Sequence, residues 1–226
     1  MNYKLSPSEL TFLFNGCKRC FYFKVKENIA QPSIPLPSIF SKIAGLLKTH
    51  YHEKRTELLH SSLPPGTVRF GEKWVQSQPI SIPSHSDTCY IKGRFDVVVA
   101  FDDGTFGVID YKTGNPEGES TSLYGHQLHS YAYALENPSP GAMRLSPISK
   151  LALLYFRPTE VSQNREGWLS FDSQIVPIEV ARNDSEYLTF IGDVLTILES
   201  PTPPAAEPDC AWCAYVTRLG GTHPQG

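Results

Sequence analysis

The chain has 226 residues, 40 % hydrophobic and 12 % aromatic, enough for a sizeable core within one domain spanning 1–226. A net charge of −3 excludes a uniformly basic nucleic-acid binder, and no apolar run reaches the roughly 18 residues a membrane span needs. The N-terminal stretch lacks a basic start followed by an unbroken apolar run, so no export signal is expected; five cysteines then suit a reducing cytoplasm, where paired cysteines are metal ligands rather than disulfides.

Ser6-Pro7-Ser8-Glu9 opens a short helix, with Ser6 as N-cap, Glu9 closing a capping box and Pro7 at the first helical position. Asn15-Gly16 ends it, and Cys17-Lys18-Arg19-Cys20 follows. Between Lys4 and Arg55 stand nine Lys or Arg, against four acids in the window stretched to Glu57, an excess of five that reads either as a solvated surface or as a wall for phosphates. Residues 31–37 are a proline-rich loop. Residues 38–60 read as a long amphipathic helix, with Ile39, Ile43, Leu46, Leu47, Tyr51, Leu58 and Leu59 near helical spacing, stopped by Pro64-Pro65-Gly66.

Strand signals then take over. Residues 68–82 form one strand and 89–101 a second; Asp102-Asp103-Gly104 turns the chain into a return strand, 105–111. A loop at 114–118 leads to a helix over 123–136. An apolar strand over 150–157 and a strand or strand pair over 168–180 follow. A helix over 186–198, a proline-rich linker at 201–208 and Cys210-Ala211-Trp212-Cys213 close the chain. This order predicts an α/β fold, a central mixed β-sheet flanked by helices, with its core at about 38–200.

The chemistry lies in residues 93–131. Asp110 and Lys112, two apart on a strand, point to one face, and the hairpin brings Asp96, expected mid-strand, alongside Asp110. Two carboxylates among apolar residues are costly unless a cation neutralises them, and magnesium suits them because it takes one or two carboxylates and accepts phosphate oxygens. Tyr111 points the other way but leaves its carbonyl available as a ligand. Lys112 is a candidate to hold an attacking water or to stabilise charge developing on a phosphate. Gln127 and Tyr131, four apart, share one face of the following helix and are placed to support the site.

Asp96, Asp110-Tyr111-Lys112 and Gln127 with Tyr131 resemble the PD-(D/E)XK nuclease superfamily, whose fold is the restriction-endonuclease-like core. Gly93-Arg94-Phe95-Asp96 and Ile109-Asp110-Tyr111-Lys112-Thr113-Gly114 are similar to the RecB-type nuclease domains and the CRISPR-associated exonucleases. The resemblance is closest over residues 66–136. It implies that Asp96, Asp110 and the Tyr111 carbonyl bind magnesium or manganese, and that Lys112 assists water attack on a phosphodiester. DNA, as single strands or duplex ends, becomes the expected substrate, an exonuclease the expected form, and a larger complex in DNA repair, recombination or defence a candidate setting. Relatives usually add an acid or histidine from the helix before the sheet; His50, His52 and Glu53 are the candidates here, with Glu72 on the first strand a further one.

Cys17, Cys20, Cys210 and Cys213 form two pairs at ligand spacing, and together they predict one four-thiolate site joining the termini. Four thiolates suit zinc or an iron–sulfur cluster. The resembling exonucleases hold a [4Fe-4S] cluster on one early and three late cysteines; here the pattern is two and two, and Leu219 stands about where the last would fall. Cys89 reads as a small buried hydrophobe. Two other functional classes stay open: a nuclease fold that binds DNA without cutting it, and a structural or redox metalloprotein centred on the cysteines.

Overall fold

The structure, a computed structural model, describes residues 1–32, 37–116 and 121–220. Parts of the expected loops at 31–37 and 114–118 lie outside the described residues. Strand β1 is Asn2–Leu5, an element absent from the sequence expectations because four residues carry too short an alternation. The capping box forms as expected, with the Glu9 amide donating to Ser6 Oγ (3.2 Å) and the Ser6 amide to Glu9 Oε2 (3.2 Å). It opens a helical segment that widens to π geometry over Glu9–Phe14 and leads into α1, Lys18–Lys26.

Helix α2 is Ser38–Tyr51, shorter than the expected 38–60. Glu53 takes a left-handed φ of 59°. The chain then pairs with the next strand, through the Glu53 amide to the Val68 carbonyl (2.8 Å) and the Val68 amide to the Lys54 carbonyl (2.9 Å). Backbone pairing there competes with the helix and wins, and Leu58 ends 65 % exposed beside a buried Leu59.

The expected strand 68–82 is three: β2 Gly66–Gly71, β3 Trp74–Gln76 and β4 Ile80–Ser81. The expected strand 89–101 is two, β5 Thr88–Arg94 and β6 Val97–Phe101, which belong to different sheets. Strand β7, Phe106–Thr113, pairs antiparallel with β6, Val97 opposite Ile109. Helix α3, Thr121–Glu136, carries the chain over to β8, Ile148–Arg165, which lies parallel to β7. Strand β9, Trp168–Val180, completes a hairpin with β8 longer than expected, and its end leaves Val161, Trp168, Leu169 and Phe171 exposed. Helices α4, Asp184–Glu199, and α5, Ala211–Arg218, follow.

The main sheet has the order β2-β6-β7-β8-β9; a smaller one has β5 between β1 and β3, with β4 also on β5. The larger core lies where α3 presents Tyr124, Leu128, Tyr131, Ala132 and Leu135, and α4 Tyr187, Ile191, Val194 and Leu198, to the sheets. A smaller core under α2 gathers Val97, Val99, Ile109, Tyr111 and Leu154, with Leu47 and Tyr51 packed on it. Side chains alternate along β7 between these cores: Val108 into the larger, Ile109 and Tyr111 into the smaller. Among the described residues no helix is long and apolar enough to cross a membrane.

Candidate active site and cysteine centre

Asp96 does not sit mid-strand. It occupies the bend where the chain leaves the small sheet and enters the main one, a crossing anchored by the fully buried Phe95. Three contacts hold it: its carbonyl accepts the Glu72 amide (3.0 Å), its Oδ2 accepts the Tyr111 amide (3.1 Å), and its Oδ1 pairs with Lys48 Nζ (2.8 Å). The register carries it next to Asp110, as the hairpin predicted.

Asp110 is 4 % exposed. Its Oδ1 accepts Gln127 Nε2 (3.3 Å), and its Oδ2 faces Lys112 Nζ at 2.5 Å without a hydrogen bond of good angle. Burial pushes the carboxyl up to about 6, against the pull of Lys112 and with the added repulsion of Asp96. Lys112 Nζ also donates to Gln127 Oε1 (3.5 Å) and lies 4.2 Å from the centre of the Tyr124 ring. Gln127 thus ties acid and lysine together from one turn of α3. On the next turn the Tyr131 hydroxyl donates to the Arg94 carbonyl (2.9 Å), two residues before Asp96. Gly93 lies so close that a Cβ there would sit 2.7 Å from Pro7 Cδ and 3.2 Å from Tyr131, so only glycine permits this packing.

The residues read from sequence therefore divide. Asp96, Asp110, Lys112 and Gln127 converge, the Tyr111 amide joins them, and Tyr131 braces the strand leading in. His50, His52 and Glu53 are exposed at the end of α2, and the described hydrogen bonds of His50 run to Lys54. From that helix it is Lys48 that reaches in, joining Asp96 to Glu72 (2.7 Å). Lys48 and Tyr124 were missed. Lys48 follows Leu47 on the helix that packs on the smaller core, and Tyr124 lies three residues before Gln127; those positions were the available signals. Of the other early cations, Arg55 pairs with Asp102 and Glu57, while Lys26 donates to the Ser200 carbonyl.

The carboxylate end fits a divalent ion in its chemistry, with two acids side by side and a buried oxygen, Asp110 Oδ2, that has no well-formed hydrogen bond. Among the described residues, the side chains able to share one ion as a group of three or more are the four cysteines, all donor atoms within 4.8 Å of one another. Cys17 stands before α1 and Cys210 caps α5, so each pair is presented at the start of a helix. The sulfurs of Cys17 and Cys213 are 3.8 Å apart, Cys20 and Cys210 3.7 Å, and Cys20 and Cys213 3.5 Å, too far for disulfides. Burial pushes the Cys20 thiol far up and Cys213 up to about 12, so a cation is what would hold these sulfurs as thiolates. The four cysteines, brought together from the two termini, could bind a metal. Cys89 is fully buried on β5.

The model of the PD-(D/E)XK nuclease superfamily matches residues 36–218. The crystal structure of SSO0001 is similar to this chain in fold, with a TM-score of 0.50 at 17 % identity over 95 % of this chain and 84 % of that one. A comparison with curated proteins finds no match.

Proposed function

The chain belongs to the PD-(D/E)XK nuclease superfamily, and we propose that within it the chain is a metal-dependent DNA nuclease working from strand ends. The observation that carries this is the network of Asp110, Lys112 and Gln127 beside the bend that presents Asp96. Members of this superfamily use divalent metals, and Asp96, Asp110 and the Tyr111 carbonyl would hold magnesium or manganese, whose charge supports attack on the scissile phosphate. Lys112 donates a hydrogen bond to the incoming water or to the charge growing on phosphate oxygen, an interaction stronger in the transition state than before it. Gln127 keeps the lysine on that line, and Tyr131 keeps the Arg94 carbonyl, and so the Asp96 bend, in place. The resemblance of 93–96 and 109–114 to RecB-type and CRISPR-associated exonucleases supports the exonuclease form, and the four cysteines would hold a [4Fe-4S] cluster or zinc.

End-labelled linear and circular DNA, incubated with manganese or with chelator, tests this directly. Linear DNA shortens from its ends with manganese while circles persist. Asp110→Ala and Lys112→Ala each lower the rate by about a hundredfold or more while leaving the melting profile cooperative. Full activity of either variant sinks the assignment. Lys48 seated on Asp96 favours one competing reading, a nuclease fold that balances its carboxylates with lysines and binds DNA without cutting. Binding with no metal-dependent shortening would select it.

A further inference from the structure

The outer face of the small sheet carries an uncommon set of side chains for a chain of net charge −3. Burial alternates along β5, with Cys89, Ile91 and Gly93 inward and Thr88, Tyr90, Lys92 and Arg94 outward. Across the sheet Lys4 pairs with Tyr90, Gln76 with Lys92 and Trp74 with Arg94. Partners side by side in a sheet share a face, so Lys4, Lys92 and Arg94 stand with Tyr90 and Trp74, and no acid lies among them. The acids flanking this face are engaged: Asp87 by the N-terminal amine, and Glu72 by Lys48 at 2.7 Å, with Arg94 at 3.8 Å. Lys4 and Lys92 make no ion pair among the described residues. Trp74 is 64 % exposed although its neighbour Val75 is buried, so it is not there to fill the core. A cleft of about 610 Å³ runs beside it, between Trp74, Gln76 and Lys92 and the turn at Ser139 to Ala142.

We propose that this face is the track along which single-stranded DNA reaches the carboxylates, with a base stacked on Trp74 and phosphates held by Lys4, Lys92 and Arg94. The proposal rests on the nuclease reading and names its substrate strand. Strand β5 runs straight to the site, since Arg94 is two residues before Asp96. From Tyr90 to Arg94 the strand covers about 13 Å, the scale of a few unstacked nucleotides. A flat face with an aromatic platform, two lysines outside the described ion pairs and an arginine held only loosely by Glu72 at 3.8 Å suits a single strand because every base has a face to stack. A duplex hides those faces within its own stack, so Trp74 has nothing to gain from it.

The test measures binding of a dye-labelled single-stranded oligonucleotide by anisotropy in chelator, and in parallel its cleavage with manganese. Trp74→Ala weakens binding about tenfold or more, and Trp74→Phe restores most of it. Binding quenches indole fluorescence, and the quench disappears in Trp74→Ala although Trp168 and Trp212 remain. Lys4→Gln and Lys92→Gln each lower the slope of log affinity against log salt by about 0.7. Variants that bind and cut the strand like the wild type overturn the track while leaving the nuclease standing. Duplex bound equally well and independently of Trp74 overturns it too, as does absence of oligonucleotide binding, which would give the face to another occupant. Binding that depends on Trp74 and Lys92 without any cutting keeps the track and removes the nuclease reading.

Discussion

Burial pushes the Asp110 carboxyl up to about 6, so the folded chain keeps a proton there that the unfolded chain has lost. The sign follows by linkage: neutral Asp110 favours the folded state below its ordinary carboxylate range, and that contribution is lost as pH rises through about 6. The protein by itself therefore carries at neutral pH a buried charge that a bound cation would relieve. Asp110→Asn, which never ionises, should gain in Tm relative to the wild type as the pH of chelated samples rises from about 4 to about 7. Thermal melts at matched ionic strength check this; a difference that stays flat or moves the other way refutes the idea that the site is destabilised in order to bind metal. Asp110 and Lys112 were legible as a pair because strand alternation puts residues two apart on one face. Lys48 was not, because its role depends on where α2 docks.

Helix α3 positions the chemistry twice, with Gln127 on Asp110 and Lys112, and Tyr131 on the strand before Asp96. Tyr131→Phe removes one hydrogen bond, so the variant should lose about 1 kcal/mol of stability. Its cleavage rate should fall about tenfold, because Asp96 is then less firmly held. The split between a small shift in melting and a larger drop in kcat, with KM little changed, identifies a positioning role. Helix α4 is tied differently. The Glu199 carboxylate accepts the amides of Asp87 and Ser86 (2.8 Å each) and faces His85 Nδ1 at 2.8 Å, and these bonds, led by the Asp87 amide, bring it down to about 2. A lowered acid stabilises above its ordinary range and loses that contribution as pH falls toward 2. The wild type should thus exceed Glu199→Gln in Tm at neutral pH, with the gap closing on acidification, as melts across an acid series would show. Helices α3 and α4 were read well because their apolar spacing is long and regular; α1 and α5, each under ten residues, carry too few turns to show it, and α2 was drawn too long. The strands near the site were merged, because an apolar run carries no mark of the point at which it changes sheet; Phe95 and Asp96 fall at that point.

The cysteine pairs close a loop of most of the chain, Cys20 and Cys210 being 190 residues apart. A cross-link over such a span stabilises by roughly 5 kcal/mol on chain-entropy grounds. Removing it should lower Tm by about 10 °C or more in a chain of this size. Cys17→Ser with Cys213→Ser should show that fall together with loss of bound metal on elemental analysis, and visible absorbance in the wild type would separate iron–sulfur from zinc. Unchanged Tm and metal content would remove the centre.

Covalent order alone specified the acids, the lysine, the glutamine helix, the capping box and the cysteine pairs. Each rests on spacings of a few residues, which helix and strand geometry convert into a shared face without further information. Tertiary structure decided the rest: the bend at Asp96, the early end of α2 at Tyr51, the approach of Lys48 and the acid-free outer face of the small sheet. Those features join residues that are distant along the chain, or depend on which backbone groups find partners first, and local periodicity does not encode either.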